Sequence, residues 1–70
     1  MDSVYKVIEL VGSSSESWVQ AAKNAVERAA QSLEDLRVAE VVTLDMHIDN
    51  GQIIAYRAKV KVSFKYHDRE

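Results

Sequence analysis

The sequence predicts an α+β fold of order β-α-β-β, a three-stranded antiparallel sheet packed on one amphipathic helix. Three observations carry that expectation. The run "VYKVIELV" at residues 4–11 is β-branched and stops at "GSSS". Between residues 18 and 36 the apolar side chains recur at spacings of three and four. On either side of the turn signal "DNG" at 49–51 the period falls to two.

The first strand, expected to end at Gly12, carries apolar residues on both parities, with Tyr5, Val7 and Val11 on one face and Val4, Ile8 and Leu10 on the other. That pattern implies burial on both sides. In the helix, Trp18, Ala22, Ala25, Val26, Ala29, Leu33 and Leu36 form the inner face, opposed by Lys23, Asn24, Glu27, Arg28, Gln31 and Asp35. Ser13 and Glu16 have the spacing of a capping box, which would start a helix of about five turns. Its alanines permit close approach to a sheet, and Trp18 reads as a core anchor rather than a cofactor-stacking group.

The second strand places Val38, Val42, Leu44, Met46 and Ile48 on one face and Thr43, Asp45, His47 and Asp49 on the other. In the third, Tyr56, Ala58, Val60, Val62, Phe64 and Tyr66 alternate with Arg57, Lys59, Lys61 and Lys65, broken only by Ser63. Apolar faces must meet, so paired positions in this hairpin should have even sums: Met46 with Tyr56, Leu44 with Ala58, Val42 with Val60. A plain two-residue Asn50-Gly51 loop gives odd sums, so a three-residue loop or a bulge is expected.

Seventy residues make one domain at most, spanning 1–70, and so short a chain buries only about 60% of its unfolded surface. With no cysteine, disulfides, thiolate catalysis and sulfur-ligated zinc are excluded, and oligomerisation is the remaining common stabiliser. No apolar stretch reaches the roughly 20 residues of a membrane span and no secretory signal is visible, which predicts a soluble, cytoplasmic protein with no membrane partner. Nine basic against eleven acidic residues give a charge of −2, which argues against nucleic acid.

Few residues suggest chemistry, and none suggests an enzyme. Ser13, His47 and Asp45 could be drawn as a triad, but His47 and Asp45 sit on one exposed strand face where neither is buried enough to fix a tautomer. His67 in "HDRE" reads as solvated. Asp45, His47 and Asp49 point the same way, the carboxylates suiting Ca²⁺ or Mg²⁺ and His47 favouring Zn²⁺. The outer two lie about 13–14 Å apart at strand rise, too far to share an ion, and the row reads first as a solvated face. An ion there needs ligands from another subunit or a backbone carbonyl. The predicted register sets Asp45 opposite Arg57 and Thr43 opposite Lys59, which accounts for one cation of the row. Ion pairing within and between subunits, a ligand, or an acidic protein docked on an oligomeric scaffold would each explain the others.

With "VYKVIELVGSSSESW", then a helix, then "RVAEVV" and a closing "KVKVSFKY", the chain resembles the dodecins over nearly its whole length. The resemblance implies small β-α-β-β subunits in a hollow homododecamer, many members holding flavins stacked in pairs for storage or buffering rather than turnover. It places Val38 where flavin-binding members carry a stacking tryptophan, Arg57 where they carry a glutamine, and Asp45 where some carry a basic residue. Valine has no π-face, and about 1–3 kcal/mol of stacking per ring goes with the aromatic platform. A degenerate flavin site is therefore expected, with riboflavin or FMN storage as the alternative. The phrases "DLRVAEV", "LDMHID" and "YRAKVKVSFK" are most similar to the branch called calcium dodecin, which implies a Ca²⁺ shell with Asp45 and Asp49 as candidate ligands.

Overall fold

The computed structural model describes residues 3–66; His67 lies outside them. The order is β1 (Tyr5–Ser14), α1 (Trp18–Ser32), β2 (Leu36–Asp49) and β3 (Gln52–Lys65), as the periodicities predict. All pairing is antiparallel and the sheet runs β1-β3-β2. The central place falls to the strand with the most regular alternation. Its even-numbered residues Ala58, Val60 and Val62 are buried, packed with Ala21 and Ala25 of α1 and bordered by Ile8, Leu10, Ala22, Val26 and Leu36.

The entry to the helix differs from expectation. Gly12 does not end β1; the strand continues two residues further, and Ser13 pairs with Arg57 rather than capping α1. The cap is Ser17, whose hydroxyl accepts from the Gln20 backbone N–H at 3.0 Å, while Ser14 Oγ accepts from the Glu16 N–H at 2.9 Å in the turn before it. Four serines in a row of five residues leave the cap ambiguous to spacing alone. The helix accordingly has 15 residues, close to four turns, and Leu33 and Leu36 lie beyond it, as its C-cap and as the first residue of β2. Gly12 has a different duty. A Cβ there would overlap the Ala21 carbonyl oxygen and press on the Ala25 methyl at 3.0 Å, so glycine lets the helix lie directly on β1.

The hairpin has both a two-residue loop and bulges. Asp49 pairs with Gln52 around Asn50 and Gly51, whose φ values of 53° and 75° are those of a type I′ turn. The odd sums so created are reset between His47 and Ile48, where Ile54 of β3 is the extra residue. The pairs of Met46 with Tyr56 and Leu44 with Ala58 then follow as expected. A second bulge overturns the rest of the register: Val41, not Val42, pairs with Val60, because Val42 is extra on β2. Parity therefore reverses from Val41 to Val38, until a third irregularity at Arg37 restores it and returns Leu36 to the core. Ala39 and Val41 join Leu44 on the helix side, and Val38 passes to the outer face, opposite Ser63.

Burial on both faces of β1 is not achieved within one chain. Ile8 and Leu10 are partly covered by the helix, whereas Tyr5, Val7 and Val11 on the outer face are about half exposed. Strand β2 is exposed along nearly its whole length, including Val41, Leu44, Met46 and Ile48.

Candidate ligand-binding face

Because Ala58, Val60 and Val62 point to α1, the odd residues of β3 point away from it. Register then builds rows across the three strands. Ser13, Arg57 and Asp45 form one row, Val11, Lys59 and Thr43 the next, then Glu9, Lys61 and Glu40, then Val7, Ser63 and Val38. The four cations thus stand on the middle strand of an uncovered face. Lys61 has a carboxylate at the paired position on each side. Neither Glu9 nor Glu40 was singled out by sequence reasoning. The signal was present: Glu40 shares its parity with Val38 and Val42, so a charge interrupts the supposed apolar face where Ala39 and Val41 are apolar on the other parity. That contradiction marks the bulge.

Asp45 and Arg57 form a bidentate pair, with Arg57 Nε donating to Oδ1 at 2.8 Å and Nη2 to Oδ2 at 2.9 Å. The Arg57 hydrogen bonds hold the Asp45 carboxyl below its ordinary pKa, against a smaller opposing effect of lost water; the charges of Arg57 and Lys59 act in the same lowering direction. Arg57 is raised in turn, chiefly by the hydrogen bonds to Asp45. Both are charged at neutral pH. Both side chains are also about half exposed, so the pair is open to competition from solvent ions.

The opposite side of the sheet holds the same two residues in place. Trp18, at the first position of α1, donates its indole N–H to the Asp45 carbonyl oxygen at 2.9 Å. Its ring meets Tyr56, the neighbour of Arg57, edge to face at 5.0 Å between centroids. Trp18 is partly exposed at the rim rather than inside the core. Beside it, α1 and β2 diverge around an apolar cavity of about 620 Å³ lined by Val19, Ala22, Val26, Val41 and Leu44, among others.

Within one chain the positions predicted for a ligand do not converge. Val38 is 62% exposed, its carbonyl accepting from the Ser63 hydroxyl at 3.3 Å, and it lies seven residues along β2 from Asp45, roughly 23 Å at strand rise. Asp49 stands at the hairpin end, opposite Gln52, about 13 Å from Asp45. Arg57 lies between Ser13 and Asp45, so the triad drawn from Ser13, His47 and Asp45 is not assembled. Among the described residues no three His, Cys, Asp or Glu side chains gather closely enough to hold a metal ion. Calcium takes about six to eight oxygens, and the carboxylates of Asp45 and Asp49 in one chain would give only a fraction of such a shell.

Comparison with known proteins gives a consistent result. The family profile described as Dodecin matches residues 4–67. Calcium dodecin of Mycobacterium tuberculosis is 54% identical over 63 residues, covering 90% of this chain and 89% of that protein. The crystal structure of the calcium-chelating antigen calcium dodecin from that organism, with a novel calcium-binding site, superposes with a TM-score of 0.84 at 50% identity over 97% of both chains. Dodecin from Streptomyces coelicolor superposes with a TM-score of 0.91 at 34% identity, again over 97% of each chain.

Proposed function

Because the chain belongs to the dodecin family, we propose that it is a self-assembling, non-enzymatic binding protein whose ligand is Ca²⁺ rather than a flavin. The observation that carries this reading is the state of the outer face. Val38 offers no stacking surface, and Arg57 is engaged by a carboxylate instead of presenting a neutral amide to a ring edge. What the face does offer is carboxylate oxygen, and the M. tuberculosis relative is a calcium dodecin.

The carboxylate proposed for the ion is Asp45 or Asp49, which lie too far apart on one strand to share it without a neighbouring copy. A bidentate carboxylate gives two oxygens, so equivalent residues of three copies around an axis give six, within the range Ca²⁺ takes. That is the reason to couple the binding reading to assembly: in a homododecamer, copies supply what one strand lacks. No nucleic-acid or membrane partner is assigned; no helix among the described residues is long and apolar enough to cross a membrane, and a cytoplasmic location suits the cysteine-free chain. Calorimetry of the assembled protein against CaCl₂, riboflavin and FMN tests the reading. Saturable Ca²⁺ binding with weak or no flavin binding is expected, and Asp45→Asn with Asp49→Asn should weaken it. Submicromolar flavin binding without any response to Ca²⁺ would overturn the assignment.

A further inference from the structure

We infer that Arg57 is an internal counter-cation that a divalent ion displaces from Asp45, and that its release opens a site for a tetrahedral dianion on β3, built by Arg57 and Lys59. The displacement arm rests on the calcium reading; the oxyanion site does not. Arg57 occupies both Asp45 oxygens, at 2.8 and 2.9 Å. A calcium ion bound by the same carboxylate sits about 2.3–2.6 Å from its oxygens, so guanidinium and metal would meet at contact distance as like charges. One of them leaves, and the guanidinium is the tethered, mobile partner.

Once released, Arg57 has no second acid in its row, where the other neighbour is Ser13. Lys59 lies two residues on, about 7 Å away on the same face, between Val11 and Thr43, and makes no ion pair among the described residues. Two cations flanked by two hydroxyls therefore face solvent together. The nearest carboxylates beyond Asp45, Glu9 and Glu40, stand one row further, beside Lys61. Arginine with an adjacent lysine and hydroxyl donors is the donor set that recognises phosphate-type oxyanions. Linkage then requires reciprocity: the cation tightens oxyanion binding and the oxyanion tightens cation binding by the same factor.

Calorimetry on the assembled protein tests this, with sulfate as the probe because its calcium salt stays dissolved at millimolar concentration. A second arm with glycerol 1-phosphate separates a free oxyanion from a phosphomonoester. Without calcium, Asp45→Asn should bind sulfate about tenfold more tightly than wild type, within the usual span of coupled sites. Wild type should gain similarly when Ca²⁺ is added. Arg57→Gln should lose that gain while binding Ca²⁺ more tightly. Equal sulfate affinity in Asp45→Asn and wild type overturns the inference, as does a calcium-dependent gain that survives Arg57→Gln. Should Asp45→Asn disturb the assembly by light scattering, Asp45→Ser takes its place. Failure of wild type to bind Ca²⁺ counts against the calcium reading alone, because the Asp45→Asn arm contains no calcium.

Discussion

Gly12 and Gly51 need to be glycine for opposite reasons. At Gly12 the obstacle is space, since a methyl would run into the Ala21 carbonyl and the Ala25 side chain. At Gly51 there is open space but φ is +75°, a conformation that costs an L-residue about 1–2 kcal/mol. Gly12→Ala should therefore destabilise through helix displacement, by about 1–3 kcal/mol or more on the scale of overpacked cores, and Gly51→Ala by less. Thermal unfolding of the two variants checks the order; equal shifts would contradict it. Asp45 opposite Arg57 was legible from strand parity, because Met46 and Leu44 fix that part of the hairpin. The hydrogen bond from Trp18 to the Asp45 carbonyl was not, since nothing local brings residue 18 to residue 45. Val38 on the uncovered face has room for a larger ring, so Val38→Trp should raise FMN affinity by the worth of one stacking contact, about 1–3 kcal/mol, seen as quenched flavin fluorescence. No change in affinity would show that a tryptophan at this position does not restore a flavin platform.

At the scale of elements, β3 and the body of α1 are written in their periods, and the junctions are not. Ser13, Ser14, Ser15 and Ser17 all carry the chemistry of an N-cap, and only the length of β1 decides among them. Ser17→Ala should lower stability by about 0.5–2 kcal/mol, whereas Ser13→Ala, on the strand, should leave the helix untouched. Denaturant unfolding followed by circular dichroism separates them. The bulge at Val42 is the other hidden junction. It reverses which side of β2 faces the helix, which sends Val38 and Glu40 outward and Ala39 and Val41 inward. A strict alternation rule fails at such a residue because the backbone, not the side chain, resets the parity.

For the whole molecule, the buried core is small. Among the described residues only Val60 and Val62 are fully buried side chains larger than alanine, while Val41, Leu44, Met46 and Ile48 of β2 remain exposed, the first two lining an apolar groove. Further copies covering these surfaces would supply the stability that one chain lacks. Light scattering after size exclusion should report a particle of about twelve subunits, and Leu44→Asp, which puts a charge in the groove, should break it into smaller species. A monomer at micromolar concentration would contradict the account. The strand order has a further consequence, one of timing. β3 is the middle strand of the sheet and the last of the three to be synthesised, so β1 and β2 have no ladder partner while it is being made. The first strand must wait across more than forty residues of chain for Lys59 and its neighbours to arrive. Folding of this sheet is thus postponed until β3 has been made, and a fragment truncated after Gly51, which lacks Ala58, Val60 and Val62, should show no sheet and only marginal helix by circular dichroism.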